Sequence, residues 1–184
     1  MERGVFDRFV SGLIDATRAV VVGDPRDATT VMGPLVSAAH RAKVASFVDD
    51  SVPVAFRGSV PGGDGFWFPP TVVAPATPGT RLTTEEIFGP VVAVMPFVDE
   101  AEAVALANAS VYGLSGSVWT RDSAKALRMA RAVQAGTLSV NSNSSVRYST
   151  PFGGFKQSGT GRELGMSAMQ SYSELKNVFI STSS

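Results

Sequence analysis

The 184-residue sequence predicts an α/β fold built on a parallel sheet. Three observations carry that expectation. "VVAVMPF" (Val91 to Phe97) is a nearly continuous apolar run, the pattern of a strand buried on both faces. Two helical stretches, from Asp99 to Asn108 and from Asp122 to Gln134, alternate with two further strands around Ser115 to Trp119 and within "GTLSVNS". Helices of this length between buried strands imply right-handed crossovers in a parallel sheet.

The flanking elements follow from local patterns. Met1 to Val22 reads as one amphipathic helix, because Phe6, Phe9, Val10, Leu13, Ile14 and Val21 recur at three- and four-residue steps. "GDP" (Gly23 to Pro25) is expected to end it. Ser37 is a good N-cap for a second helix reaching Phe47 and Val48. "VPVAF" (Val52 to Phe56) and "TVVA" (Thr71 to Ala74) are short strand candidates, separated by the turn-rich "RGSVPGGDG". Asp99 and Glu102 have capping-box spacing, and Gly136 stops the helix that begins at Asp122. "SNSSVRYST" reads as a loop. A last helix is expected from Gly161 to Tyr172, and "NVFIST" as a terminal strand able to pair with another chain. The first helix has no strand before it, so the chain is expected to be the rear part of a larger α/β unit.

Composition narrows the chemistry. The 44% hydrophobic and 17% charged fractions are those of a soluble globular chain, and 16 basic residues balance 16 acidic ones. No basic face for nucleic acid is expected, nor any membrane-spanning run. "MERGVFDRFV" has charges where a signal peptide needs an apolar stretch, so the expected location is cytoplasmic. There is no cysteine, which excludes disulfides, thiolate zinc sites and a cysteine nucleophile. His40 is the sole histidine and is read as a polar residue on a helix surface; no metal site is expected.

The glycine-rich "PFGGFKQSGTGRELG" (Pro151 to Gly165) raises the question of phosphate binding. Its spacing answers against it. Gly154 and Gly159 have the gap of a phosphate loop, but Thr160 stands where the lysine is needed. Gly159, Gly161 and Gly165 miss the dinucleotide pattern by one residue, and no buried strand leads into the run. Instead, Gly153 and Gly154 allow a tight turn, and Thr160 with Glu163 have capping-box spacing to start the last helix.

"GDPRDATTVMGPL", "EEIFGPVV", "YGLSGSVWTRD", "AGTLSVN" and "PFGGFKQSGTGRELG" follow one another in order along nearly the whole chain. This series resembles the C-terminal part of the NAD(P)-dependent aldehyde dehydrogenase superfamily. The resemblance implies the parallel-sheet catalytic domain of that fold, incomplete at its N-terminal side. Residues 1–175 would belong to the catalytic domain and residues 176–184 would form an oligomerisation strand joining like subunits. It implies that Glu86 binds the nicotinamide ribose hydroxyls, for which a carboxylate has two acceptor oxygens. Phe88 would pack near the nicotinamide, Phe152 would line the aldehyde pocket, and Asn141 would lie on the substrate side. Arg147 and Tyr148 would sit in the loop that helps select the aldehyde. Read without the family, Glu85 and Glu86 are an exposed acidic pair and Phe152 is a core phenylalanine.

The family oxidises aldehydes to carboxylic acids through a cysteine thioester, with hydride passing to the nicotinamide and a glutamate acting as base. Neither the cysteine nor the E-L-G-G-type glutamate segment is in this chain, so no catalytic residue is assigned in it. NAD or NADP belongs to the parent enzyme, and none is expected on this chain alone. The chain is expected to be an inactive fragment of such an enzyme. The alternative is a stand-alone, non-catalytic interaction module.

Overall fold

A computed structural model describes residues 1–144 and 146–182. Ser145 of the expected loop, and Ser183 and Ser184 of the expected terminal strand, lie outside the described residues. The chain divides into two compact units, Met1–Ser110 and Val111–Ser184.

In the first unit, helix α1 covers Phe6–Arg18 and is preceded by a 3-10 turn at Arg3–Val5. It is shorter than expected at both ends. Glu2 pairs with Phe97 in an isolated parallel bridge, so the first residues are extended rather than helical. At the other end Val20, Val21 and Val22 are three β-branched residues in a row, which lose rotamer freedom in a helix. They leave it, and the Val21 carbonyl accepts the N–H groups of Val31 and Met32. The helix therefore stops before "GDP" is reached. Its apolar stripe is half-buried at Phe6, Val10, Leu13 and Ile14, and Phe9 is exposed.

Helix α2 (Ala38–Ala45) starts where Ser37 predicts, with the Ser37 hydroxyl accepting the His40 N–H at 3.1 Å. Three strands follow: β1 (Val54–Arg57), β2 (Thr71–Val73) and β3 (Val91–Ala93), in the order β1-β2-β3. β2 and β3 are parallel, whereas β1 runs antiparallel to β2. The sheet is thus mixed rather than purely parallel. The expected long strand at Val91 to Phe97 shrinks to three residues. Pro90 and Pro96 bracket it and carry no N–H for the ladder. Val92 faces solvent, so β3 is not buried on both faces; β2 is, at all three positions. Thr71 is buried with its hydroxyl donated to the Pro69 carbonyl at 2.8 Å. The core packs Val44, Phe47 and Val48 against Phe68, Val73, Ala76, Leu82 and Ile87. A single helical turn, α3 (Arg81–Thr84), supplies Leu82. Helix α4 (Glu100–Asn108) closes the unit. Asp99 caps it through the Glu102 N–H at 2.8 Å, while the Glu102 carboxylate accepts the Val98 N–H at 2.7 Å.

The second unit holds a short antiparallel pair, β4 (Tyr112–Gly113) with β7 (Phe155–Lys156), and a parallel pair, β5 (Ser115–Val118) with β6 (Thr137–Val140). Helix α5 (Ser123–Ala132) connects β5 to β6 and packs on both, which is the expected β-α-β crossover. β3 therefore belongs to the first unit's sheet and β5 and β6 to another, instead of one continuous sheet. Asp122 caps α5 through the Ala124 and Lys125 N–H groups. Gly136 leads into β6 against the glycine run: a Cβ there would land on the Gly153 carbonyl oxygen.

Two expectations fail near the chain's end. The helix from Gly161 reduces to a 3-10 helix at Met166–Tyr172. Glu163 cannot cap it, because its backbone exchanges two 2.8 Å hydrogen bonds with Phe152 in an antiparallel bridge. Leu164 and Gly165, both at positive φ, then redirect the chain. Among the described residues no strand follows Lys156. "NVFIST" is irregular, with Val178, Phe179 and Ile180 exposed.

Two outcomes test this description. Gly136→Ala is expected to cost at least about 2 kcal/mol, as overpacking against backbone does, read as a lowered denaturant midpoint. Asp122→Ala is expected to destabilise the chain at neutral pH and progressively less in acid. The Lys125 N–H bond, with other donors and nearby cations, holds the Asp122 carboxyl below its ordinary 3.8. A depressed folded-state value stabilises above the unfolded value and loses that contribution as pH falls through the folded one. Denaturant midpoints at pH 7 and pH 3 should therefore converge for the two proteins at the lower pH.

Candidate functional site

In the first unit, "EEIFGP" runs from Glu85 to Pro90 as the turn between α3 and β3. The two glutamates have different surroundings. Glu85 is ion-paired with Arg81 at 3.1 Å, at helical i,i+4 spacing. The same guanidinium lies 4.0 Å over the Phe47 ring and donates to the Ser46 hydroxyl at 3.3 Å. A cleft of about 320 Å³ beside this cluster is lined by Ser46, Asp49, Thr80 and Arg81. Glu86 is exposed and has no ion pair or side-chain hydrogen bond among the described residues. Its two carboxylate oxygens are available to a pair of hydroxyl donors.

Phe88 is 73% exposed and takes a positive φ of 56°. Gly89 follows it in close contact with α2: a Cβ at Gly89 would sit 2.6 Å from a Val44 methyl. The Phe88 carbonyl accepts a hydrogen bond from His40 Nε2 at 2.7 Å. His40 is half-buried on α2, a polar helix residue as expected, and it is also engaged with the turn. This partnership spans 48 positions in sequence. The one hint of it in the sequence is the i,i+4 spacing of His40 and Val44, which puts both on one face of α2.

In the second unit, Asn141 follows β6 at φ 52°. Its side-chain oxygen accepts the Thr120 N–H and its amide donates to the Thr120 carbonyl, both at 2.9 Å. Asn141 thus ties the end of β6 to the residue after Trp119 with both of its polar ends. Tyr148, in the following loop, is 91% exposed, and Arg147 is exposed as well.

Phe152 is half-buried and held in register by its bridge to Glu163. The glycines beside it are needed for space, not for unusual φ. Gly153 and Gly154 are not at positive φ, contrary to the expected tight turn. A Cβ on Gly153 would collide with the Gly161 carbonyl, and one on Gly154 would sit 2.6 Å from Ser158 Cβ. Arg162 gathers the run. One guanidinium nitrogen donates to the Gly154 carbonyl at 2.9 Å and to the Gly161 carbonyl at 2.8 Å, and the group lies 5.6 Å from the Phe155 ring centroid. Arg162, one of the two basic residues of this glycine run, binds the run's own backbone carbonyls, an organising role that sequence reasoning missed. Glu86 and Phe88 thus share one turn of the first unit. Asn141 and Phe152 lie in the second. No group of three or more histidines, cysteines or acidic residues that could hold a metal occurs among the described residues. Among the described residues no helix is long and apolar enough to cross a membrane.

Comparison with known proteins gives these residues a setting. Residues 1–178 match the aldehyde dehydrogenase family. The betaine aldehyde dehydrogenase of Rhizobium leguminosarum bv. trifolii is 41% identical over 98% of this chain and 38% of its own length. A crystal structure of betaine aldehyde dehydrogenase from Staphylococcus aureus in complex with NAD+ superimposes with a TM-score of 0.86 at 37% identity, covering 98% of this chain and 40% of that one. An aldehyde dehydrogenase from Bacillus cereus gives a TM-score of 0.91 at 36% identity over 97% of this chain and 37% of that one. The chain spans about 38% of the length of the curated relatives it matches. The match across the motif series, with the α/β architecture that carries it, places this chain in the aldehyde dehydrogenase family.

Proposed function

We propose that this chain is the C-terminal portion of an NAD(P)-dependent aldehyde dehydrogenase and supplies part of its cofactor and substrate surface. The single observation that supports this most is the division of labour in the acidic pair. Glu85 is held by Arg81, and Glu86 is left exposed with both carboxylate oxygens open. A carboxylate held on a turn, with no ion pair among the described residues, suits the two adjacent hydroxyls of a ribose. The exposed Phe88 ring, two residues on, offers an apolar face for the nicotinamide. When bound, the nicotinamide accepts the hydride. This chain's part is to seat and orient the ribose and leave the ring open on one side.

Phe152 contributes to the aldehyde pocket. Asn141 acts on the substrate side through its clamp on Thr120, by fixing where the loop that follows begins. The names of the relatives make betaine aldehyde the first substrate to try. The thiolate comes from outside these residues, since the chain has no cysteine, and so does the general base, since the sequence has no E-L-G-G-type segment. Alone it is inactive and binds no nucleotide. The parent enzyme works in the cytoplasm.

The exposed apolar end, Val178 to Ile180 with Leu175, supports assembly with like subunits through strand addition. A non-catalytic interaction module is the alternative reading, and it rests on this same exposed end. In that case a cysteine-free chain would assemble stably by itself.

Three outcomes check the proposal. The isolated chain with aldehyde and NAD or NADP should give no reduced nucleotide; robust turnover would contradict it. In a chimera supplying the preceding portion from a betaine aldehyde dehydrogenase, Glu86→Gln should weaken nucleotide binding by about tenfold, the scale of one charge-assisted hydrogen bond. Glu85→Gln should change it by less than about twofold, and equal effects would overturn the assignment. Val178→Lys with Ile180→Lys should shift the sedimentation of the chimera to a smaller species.

A further inference from the structure

We propose that His40 is a positioning residue: it fixes the backbone at Phe88 and thereby sets where Glu86 presents its carboxylate. The proposal rests on the reading of Glu86 and Phe88 as the nicotinamide-ribose turn. It starts from an energetic problem in that turn. A bulky side chain at φ 56° is disfavoured, because Cβ crowds the following carbonyl, and it persists only where surrounding contacts over-determine it. Packing of the Phe88 ring cannot supply that restraint, since the ring is mostly exposed. Its nearest aromatic neighbour is His40 itself, with centroids 6.3 Å apart and planes tilted by 47°. What holds Phe88 is its backbone: the carbonyl bonded to His40 Nε2 at 2.7 Å, and the next residue, Gly89, set against Val44.

His40 is well placed for this. Its own N–H is bonded to the Ser37 hydroxyl, so the first turn of α2 fixes its backbone. Four residues on, Val44 is fully buried in the core. One face of α2 thus carries two adjacent restraints, a directional one from His40 onto Phe88 and a steric one from Val44 onto Gly89. Because a carbonyl only accepts, the proton of the bond sits on Nε2. His40 Nδ1 is buried and has no partner among the described residues, so the ring has one polar commitment and it is to this turn. Without it, the relief of Phe88 to negative φ would swing the preceding peptide and move Glu86.

The test uses the chain as it is and then the chimera. His40 is the sole histidine of the sequence, so imidazole ¹⁵N resonances need no assignment. The wild-type ring should carry its proton on Nε2; a proton confined to Nδ1 overturns the proposal without any substitution. Amide exchange at Glu86 to Gly89 should accelerate about tenfold in His40→Ala, the scale of one lost hydrogen bond. It should be largely restored in His40→Gln, whose amide nitrogen can reach the same carbonyl, while core amides such as Val72 stay unchanged. Equal exchange in wild type and His40→Ala, or no rescue by glutamine, contradicts it. In the chimera, His40→Ala should raise KM for the nucleotide several-fold with kcat within about twofold, again with rescue by glutamine. If exchange responds as stated but neither His40→Ala nor Glu86→Gln moves nucleotide KM, the turn is held by His40 and the cofactor reading fails. If Glu86→Gln raises KM and His40→Ala does not, the positioning proposal fails.

Discussion

The seating of the Glu85–Gly89 turn on helix α2 is the constraint on which the first unit's candidate site depends. Gly89 has to approach Val44 more closely than any side chain permits, and Val44 is itself fully buried among Phe47, Val48, Phe68 and Val73. The core therefore sets the height of the turn. Arg81 pins its start through Glu85, and His40 pins its middle at the Phe88 carbonyl. What remains unpinned is the Glu86 carboxylate and the Phe88 ring. A turn whose backbone is restrained while two side chains stay open presents those side chains without an ordering step. Preorganisation of this kind lowers the entropy lost on association.

The second unit solves a related problem with backbone alone. Gly136, Gly153 and Gly154 bring chain segments to distances that a Cβ forbids, and Arg162 donates to the Gly154 and Gly161 carbonyls gathered there. Buried carbonyls without donors are costly, and a guanidinium with five N–H groups is suited to serve several at once. The glycine run is thus a packing device centred on an arginine, which explains why it has the composition of a phosphate loop without completing its pattern.

Local signals were the most legible in the sequence. The caps at Ser37, Asp99 and Asp122 are one-residue decisions made by nearby N–H groups, and all three helices start where those residues predict. The β5–α5–β6 crossover was equally readable from alternation. Failures occurred where a distant partner outbid a local preference. Glu163 has capping spacing but is claimed by Phe152, and Glu2 leaves the first helix for Phe97. β3 is cut short by flanking prolines whose weight the apolar run concealed. At the candidate site, the family resemblance singled out Glu86 over Glu85, and the two differ in the structure in that Glu85 is ion-paired with Arg81. His40 was out of reach, because its partner is a carbonyl 48 residues away and a carbonyl leaves no trace in residue identity.

The most direct measurement is a crystal structure, with NAD bound, of a complete enzyme carrying this segment. The account predicts Glu86 carboxylate oxygens within about 3.2 Å of both nicotinamide-ribose hydroxyls, Glu85 still paired with Arg81, and His40 still bonded to the Phe88 carbonyl. A ribose held by Glu85, or by neither glutamate, would contradict it.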